Sequence, residues 1–398
     1  MEPVSCRCFQ TPCSSVAELG PVTCAGCGLL CDDVTVEAAG DRVRLSPECR
    51  LGADWFSERV RRDDGVPATI NGEAVDVDTA LSRAAELLRT ARRPLVHGFD
   101  DATVEDARAA VALADRLGAL MGAGAVTSAW PGAPAIPLRG ASTATLGEIR
   151  DRSRVVVIWR EDPETTHPRL LDRLGLGVAD RTLAVIDDRD TATAQHADLR
   201  LRWPRERDLE ALTSLHVLQR GLAAPSSDLV AGLSELIDRF RTVPHAAFVY
   251  GPGLTAGSGG QRRALALHEL VRALCHERHV VTLELPRAPG TRSADDVLAW
   301  QSGYGGAVDF ASGHPELVTA TAPLDEVDVT LVVESGASGC LAAGPGVEVW
   351  IGTAAAGVSA GGTAHRLDGV PLTLQAPLPG DAPTAATLLR RLLAEIDT

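Results

Sequence analysis

Short apolar runs alternate with helix-like segments along most of this chain, and this alternation limits the fold more than any other feature. Runs such as Val155–Trp159 suit strands that are buried on both faces of a sheet. The pattern predicts an α/β fold with parallel sheets covered by helices. The predicted strands are 94–98, 154–159, 182–186, 246–250, 280–283, 329–333 and 347–351. The predicted helices are 78–92, 103–117, 208–222, 228–241 and 261–275, the second with a capping box from Thr103 to Asp106.

A chain of 398 residues is long enough for two or three domains. We predict a disordered tail over 1–20 and a small four-cysteine subdomain with a hairpin over 21–66. Two doubly wound, Rossmann-like domains follow over 67–243 and 244–398. The helix predicted over 228–241 separates the two sheets in this interpretation, and an interwoven arrangement of the same sheets is the alternative.

Composition excludes several classes of function. A net charge of −15 argues against binding to nucleic acid or to an anionic membrane. All 38 basic residues are arginine, so there is no lysine for Schiff-base or P-loop chemistry. No segment has the pattern of a targeting sequence or the length of a membrane span. We therefore expect a cytoplasmic protein that binds neither nucleic acid nor membrane.

Seven of the nine cysteines lie in the first 49 residues. Cys24, Cys27, Cys31 and Cys49 have a spacing that lets four thiolates converge on one soft metal centre. A [4Fe–4S] cluster is the favoured interpretation, because ligation by four thiolates is its usual form. A structural zinc ion and free structural thiols are the alternatives. The cysteines in the polar tail match no cluster spacing; they are Cys6, Cys8 and Cys13.

The four cysteines belong to a series of motifs that occur one after another along the chain. They are Cys24-Ala-Gly-Cys27-Gly-Leu-Leu-Cys31-Asp-Asp33, Cys49-Arg-Leu-Gly52, Thr145-Leu-Gly-Glu-Ile-Arg150, His167-Pro-Arg169, Trp300-Gln-Ser-Gly-Tyr304, Val308-Asp-Phe310 and Gly361-Gly-Thr-Ala-His-Arg-Leu-Asp-Gly-Val-Pro371. With these motifs the chain resembles the B subunits of formylmethanofuran dehydrogenase and of its bacterial relative, the formyltransferase/hydrolase complex. The resemblance covers most of the chain. It implies a molybdopterin-oxidoreductase-like fold, with an iron–sulfur subdomain before two doubly wound domains.

The resemblance also identifies a residue that this chain lacks. In active members of the family, two pyranopterin dinucleotides and one cysteine, in a Cys-His-Gly context, hold tungsten or molybdenum. The matching segment 127–132 reads Thr-Ser-Ala-Trp-Pro-Gly around Ala129, and no cysteine lies between Cys49 and Cys275. The hydroxyl of Ser128 is a poorer ligand for a soft metal than a thiolate. We therefore expect no bound molybdopterin, tungsten or molybdenum, and we assign no catalytic residue.

A second departure lies in the turn after the strand that ends at Trp159. Family members have small residues there, which let backbone N–H groups approach a diphosphate. This chain has Arg160, Glu161 and Asp162 instead, and two carboxylates facing a diphosphate repel it. The glycine-rich segment 251–260 remains permissive for phosphate, but such a turn alone is a weak signal. We interpret this region as a degenerate pterin site.

Two other motifs have both a functional and a structural interpretation. With a working metal site, His167 and Arg169 would line the substrate pocket in the family. Without one, the His-Pro-Arg turn is a structural or interface element. Arg366 and Asp368 are predicted to form an internal ion pair that fixes the C-terminal segment.

Two main hypotheses about function, and a third interpretation, follow. The first is a non-redox structural subunit of a complex whose amidohydrolase-like, formyltransferase-like and glutamate-synthase-like subunits are its partners. That complex moves a formyl group between tetrahydromethanopterin, a methanofuran-type carrier and formate. The second is an active tungsten or molybdenum formylmethanofuran dehydrogenase subunit. A metal-stabilised scaffold in an unrelated pathway is a third interpretation.

Overall fold

The structure is a computed structural model that describes residues 17–39, 42–60, 67–122, 135–177, 180–224, 227–286, 288, 290–318, 324–335, 346–378 and 380–398. Cys6, Cys8, Cys13 and the 127–132 segment with Ala129 lie outside these residues. The strands, in chain order, are Ala17–Cys24 (β1), Cys31–Ala39 (β2), Arg42–Ser46 (β3), Ala68–Ile70 (β4), Glu73–Val75 (β5), Pro94–His97 (β6), Leu120–Gly122 (β7), Val155–Trp159 (β8), Thr182–Ile186 (β9), Leu199–Leu201 (β10), His245–Tyr250 (β11), His279–Glu284 (β12), Ala307–Asp309 (β13), Glu316–Leu317 (β14), Val329–Glu334 (β15), Val347–Gly352 (β16), Gly362–His365 (β17) and Pro371–Leu374 (β18).

The α-helices cover the sheets and carry the loops that reach the candidate site. In chain order they are Arg50–Val60 (α1), Val77–Thr90 (α2), Val104–Leu117 (α3), Ala135–Arg139 (α4), Leu146–Arg152 (α5), Pro163–Thr166 (α6), Leu170–Arg173 (α7), Asp208–Gln219 (α8), Asp228–Arg241 (α9), Pro252–Thr255 (α10), Gly260–Leu274 (α11), Thr291–Ser302 (α12) and Ala385–Ile396 (α13). The capping box predicted at the start of α3 is confirmed, because Thr103 and Asp106 bond reciprocally.

A five-stranded parallel sheet has the order β10-β9-β8-β11-β12. Every residue of β8 and β11 is buried, as expected for central strands covered on both faces. The chain leaves β8 for β9 on one side and later returns to β11 on the other. The carboxyl ends of β8 and β11 therefore form a topological switch point, which is where ligands bind in open α/β sheets.

The second large sheet is mixed and has the order β14-β13-β7-β6-β15-β16-β4-β5. Its parallel centre joins β6, from early in the chain, to β15 and β16, from late in the chain. Likewise β11, after residue 243, pairs with β8, before it. The predicted domain boundary near residue 243 is therefore wrong, because it does not separate the strands of one sheet from those of the other. The two sheets are interwoven, because each uses strands from both halves of the chain.

The four-cysteine segment forms a three-stranded antiparallel sheet of β1, β2 and β3, followed by α1. The sheet begins at Ala17, so residues 17–20 do not belong to the predicted disordered tail. Its apolar side chains share one core with a face of the five-stranded sheet, where Phe56 and Ile158 are completely buried. This segment is therefore fixed to the main body by apolar packing rather than suspended as a separate lobe.

The structure confirms the mixed α/β architecture with parallel sheets that the sequence predicts. Within the described ranges, we find no helix with both the length and the apolar character needed to span a bilayer.

Candidate functional site

Four cysteine thiols line one cavity beside the three-stranded sheet. Cys24 ends β1 and Cys31 begins β2, and the two are cross-strand partners. Cys27 lies in the turn between these strands, and Cys49 immediately precedes α1. Two of the four are buried and two are half-buried, and none is in a disulfide. The structure therefore brings together all four of the predicted metal ligands.

Tight packing and burial determine the chemistry of these thiols. A Cβ atom at Gly52 would lie 3.0 Å from the sulfur of Cys24, so a side chain at this position would press on the thiol. Burial raises the pKa of Cys24 and of Cys27 to about 12, which keeps a free thiol protonated. A metal centre that displaces the proton is the usual partner for thiolates in such an apolar place.

The separation of the sulfur atoms bears on the kind of metal centre. Within the described residues, one set of three potential metal ligands has all its donor atoms within 4.8 Å of one another. That set contains no cysteine. Tetrahedral zinc, with Zn–S bonds of about 2.3 Å, holds its sulfur atoms about 3.8 Å apart. No three of the four sulfur atoms are therefore all within 4.8 Å of one another, so at least one pair in every trio is more widely spaced than in tetrahedral zinc. A cluster of several irons and sulfides is larger than one ion and bridges more widely spaced thiolates.

The predicted His-Pro-Arg turn contacts the cysteine hairpin directly. The Arg169 guanidinium donates to both carboxylate oxygens of Asp33, at 2.7 and 2.6 Å, and Arg173 donates to the same carboxylate at 2.5 Å. These bonds lower the pKa of Asp33, chiefly through Arg169. Pro168 and Arg169 also line the thiol cavity. The arginines therefore join the cysteine hairpin to the α6–α7 segment of the main body.

His167, at the start of this turn, is 5% exposed. Burial lowers its pKa to about 4, although the backbone of Cys27 partly offsets this shift. Its Nδ1 atom lies 3.0 Å from the hydroxyl of Thr166. The neutral imidazole of His167 packs against the cysteine turn. This position is consistent with a structural role for the His-Pro-Arg turn.

Arg160 is held by a buried network at the carboxyl end of β8. Its Nε and Nη2 atoms donate to the carboxylate of Asp208 at 3.0 and 2.9 Å, and Nη2 also donates to the carbonyl of Trp203 at 2.8 Å. Asp208 is completely buried, and an exposed second carboxylate, Asp188, lies 3.3 Å from Nη1. The sequence places Arg160 beside a diphosphate, but the structure turns it into the protein, away from the cleft.

Glu161 occupies an anion position at the switch point. Its Oε1 atom accepts a hydrogen bond of 2.6 Å from the backbone N–H of Gly253, in the first turn of α10. Free N–H groups at this end of a βα turn are the groups that hold phosphates. A Cβ atom at Gly253 would collide with the carbonyl of Arg160, so the two turns are in close contact. The chain's own carboxyl group therefore accepts the hydrogen bond that this N–H could otherwise donate to a ligand.

Asp162 does not face the same cleft. Its Oδ1 atom accepts from the N–H and the hydroxyl of Thr193, at 2.8 and 2.6 Å. Of the two carboxylates expected to repel a diphosphate, Glu161 lies at the switch point and Asp162 instead fixes the loop after β9.

Glu161 gives a testable pH dependence. Burial, with a smaller contribution from Asp187, raises its pKa from 4.5 to about 7. Between these values the folded state keeps the proton that the unfolded state has lost, so stability falls as the pH rises. We expect Glu161→Gln to remove this fall and to be about 1–3 kcal/mol more stable than wild type near pH 8.

Urea denaturation near pH 5 and near pH 8 measures this effect, with the exposed Glu206→Gln as the control. A Glu161→Gln variant that shows the same pH slope as wild type would show that the carboxylate is not buried as described.

The predicted C-terminal ion pair is confirmed. Arg366 donates two hydrogen bonds of 2.8 Å to Asp368, and that carboxylate also accepts from the N–H of Leu146 at 2.7 Å. The preceding His365 lies 2.8 Å from Asp296 of α12. The C-terminal motif is therefore bonded to α5 and α12.

A further cavity of about 300 Å³ was not predicted from the sequence. It lies at the carboxyl end of β12, and its wall includes Tyr250, Glu284 and Arg292. The hydroxyl of Tyr250 donates to Glu284 at 3.2 Å. The lining of this cavity comes from segments far apart in the chain, so no local sequence pattern predicts it. The general rule that ligands bind at the carboxyl ends of parallel strands is what points to this place.

The resemblance that the sequence motifs indicate is also found when the whole chain is compared with known proteins. No protein-family model matches the chain. The B subunit of tungsten-containing formylmethanofuran dehydrogenase 2 from Methanocaldococcus jannaschii is 27% identical over 411 residues, covering 89% of this chain and 92% of that protein. The B subunit of the formyltransferase/hydrolase complex Fhc from Methylorubrum extorquens is 27% identical over 258 residues, covering 63% of this chain and 67% of that protein.

A chain in the X-ray crystal structure of the FhcABCD complex from Methylorubrum extorquens, with methylofuran, has a similar fold. The TM-score is 0.69 at 23% identity, covering 83% of this chain and 98% of that chain. The resemblance found in the motifs is thus confirmed by sequence and by fold. This chain is a homologue of the B subunits of formylmethanofuran dehydrogenase and of the formyltransferase/hydrolase complex.

Proposed function

We propose that this chain is a non-redox structural subunit of a formyltransferase/hydrolase complex in one-carbon metabolism. Its amidohydrolase-like, formyltransferase-like and glutamate-synthase-like partners move a formyl group between tetrahydromethanopterin, a methanofuran-type carrier and formate. The homology to the B subunit of such a complex supports this assignment. In this proposal the chain holds the assembly together and carries no reacting group.

One observation carries the non-redox assignment. The anion position at the switch point is filled by the Glu161 carboxylate, which accepts from Gly253 at 2.6 Å. A pterin dinucleotide would need this position for its diphosphate, but the Glu161 side chain already occupies the Gly253 N–H. Above its pKa of about 7, Glu161 would also repel a second anion at short range. The residues present therefore do not fit a pterin dinucleotide.

A second candidate function is that of an active tungsten or molybdenum dehydrogenase subunit. The similarity to the B subunit of a tungsten-containing enzyme, over 89% of the chain, favours it. Two assays on the purified complex distinguish the candidates. We expect formate release from the formylated carrier, without viologen reduction when that carrier is supplied. Viologen reduction above background would favour the dehydrogenase.

We further propose that Cys24, Cys27, Cys31 and Cys49 hold a [4Fe–4S] cluster. This assignment is supported by four thiols around one apolar cavity, of which no three have their sulfur atoms all within 4.8 Å of one another. Bound to its ligands, such a cluster would cross-link the β1–β2 hairpin to α1. Arg169, with its charge near the thiol of Cys31, would offset part of the negative charge of the thiolates.

Anaerobically purified protein should contain about four irons per chain and be brown. Cys24→Ser should lose most of this iron, because the cluster then lacks one buried thiolate. Cys275→Ser is the matched control, since Cys275 is exposed and does not line the cavity. One zinc per chain without iron would keep the metal site but contradict the cluster.

We also propose that Trp300 lies in an interface with another subunit. Its side chain is 61% exposed, and the Arg108 guanidinium lies 5.6 Å from its ring centroid. Exposed Trp and Arg side chains are the residues most enriched at the energetic centres of interfaces. We expect Trp300→Ala to weaken binding of the partner subunits at least about tenfold in a pull-down titration.

Leu222→Ala is the control for this variant, because Leu222 is 51% exposed but follows α8 on the other sheet. Equal binding by wild type and both variants would exclude Trp300 from the interface.

A further inference from the structure

Two histidines and a glutamate meet at the amino edge of the five-stranded sheet, far along the strands from the switch point. His245 and His279 are the first residues of β11 and β12 and are direct neighbours in the sheet. Their rings stack with centroids 5.1 Å apart and planes 14° apart. Glu148 of α5 faces them, and the donor atoms of all three residues lie within 4.8 Å of one another.

The buried histidine is already oriented. Its Nδ1 atom lies 2.9 Å from the hydroxyl of Ser153, which is itself completely buried. With the Nδ1 proton donated to this hydroxyl, Nε2 of His245 presents its lone pair to Glu148, whose Oε1 atom is 3.9 Å away. Nε2 is buried and has no hydrogen-bond partner within the described part of the chain. A histidine fixed through one nitrogen and open at the other is typical of metal ligands.

The surrounding charges suit a divalent cation. Burial and the neighbouring His279 lower the pKa of His245, so its imidazole is neutral and free to act as a ligand. Glu148 supplies one negative charge. Arg152, one turn along α5, lies 3.6 Å from this carboxylate, but its side chain is 68% exposed and can turn into solvent.

We propose that Glu148, His245 and His279 form a binding site for a divalent transition-metal cation of the zinc or cobalt type. Two imidazoles and a carboxylate are a preferred ligand set for these ions. Ligands about 2.1 Å from zinc lie about 3.4 Å apart, so the separation of 3.9 Å between Nε2 of His245 and Glu148 must close by about half an ångström. His279 and Glu148 are on the surface side of the site, where side chains can make this adjustment.

The role of the ion follows from the elements it joins. It would tie α5 to the amino ends of β11 and β12. A water molecule can complete the coordination on the exposed side of His279. The site uses no cysteine, so it is independent of the proposed iron–sulfur cluster.

Cobalt(II) is the probe that separates this site from the cysteine cavity. Cobalt bound by thiolates has intense charge-transfer absorption in the near ultraviolet, whereas cobalt bound by imidazole and carboxylate has only weak visible bands. The emptied cysteine cavity can also take cobalt and then shows the thiolate absorption. We therefore expect the chelator-treated full chain to bind one further equivalent of cobalt that adds none of this absorption. His279→Ala should lose this equivalent or weaken it at least about tenfold.

His196→Ala is the matched control, because His196 is also an exposed histidine and does not belong to the triad. It should bind cobalt as the wild type does. A second variant, Ser153→Ala, should weaken binding about 10–100-fold, because it removes the group that orients His245. If wild type and His279→Ala bind the same number of equivalents with equal affinity, or if the extra equivalent shows thiolate absorption, the proposal is wrong.

Discussion

Asp208→Asn is expected to lower the free energy of unfolding by about 3–5 kcal/mol. The carboxylate is completely buried and accepts hydrogen bonds from the indole N–H groups of Trp159 and Trp203, at 3.1 and 2.9 Å. It also neutralises the Arg160 guanidinium, which is buried with it. Asparagine has nearly the same shape, but it removes the buried counter-charge of the guanidinium and turns an N–H donor toward other donors.

Asp188→Asn gives a matched comparison, because it removes the exposed partner of the same guanidinium, at 3.3 Å. We expect a loss below about 1 kcal/mol from this variant. Urea unfolding of both variants measures the difference. Equal losses in the two variants would show that the buried pair does not hold the turn after β8.

Gly253→Ala has the second large effect. A Cβ atom there would overlap the carbonyl oxygen of Arg160 and lie 2.7 Å from the carbonyl carbon and 2.9 Å from Oε1 of Glu161. Two of these contacts are with backbone, so the turn after β8 and the first turn of α10 must separate. We expect a loss of about 3 kcal/mol or more in the free energy of unfolding.

Gly147→Ala is the control for the glycine variant. It lies in α5, and a Cβ atom there meets only the hydroxyl of Thr145, at 3.8 Å. Alanine favours helix over glycine, so this change should be neutral or slightly stabilising. A Gly253→Ala protein as stable as Gly147→Ala would show that the switch point is open, and a diphosphate could then enter it.

Local features of this chain could be predicted from its sequence. Buried parallel strands such as β8 are recognisable as apolar runs, and the capping box of α3 follows from two residues three apart. The convergence of four cysteines also follows from local spacing, since Cys24, Cys27 and Cys31 lie in one hairpin. Each of these features is recorded in residues that are close together in the sequence.

Features that depend on distant contacts could not be predicted. The boundary expected at residue 243 failed because β6 pairs with β15 across more than half of the chain, and no local pattern records such a pairing. The partner of Arg160 is 48 residues away, and the acceptor of the Gly253 N–H is 92 residues away. From the sequence, Glu161 and Asp162 were expected to face the same cleft. In the structure, Glu161 accepts a hydrogen bond from Gly253, whereas Asp162 accepts from Thr193.

The non-redox assignment is tested most directly by the tungsten and molybdenum content of the complex purified from its native cell under anaerobic conditions. Mass spectrometry of the metals should find far less than one tungsten or molybdenum per copy of this chain. The iron of the proposed cluster, at about four per chain, serves as the internal standard for a loaded sample. One tungsten or molybdenum per chain, together with viologen reduction by formylmethanofuran, would contradict the assignment and identify the chain as a dehydrogenase subunit.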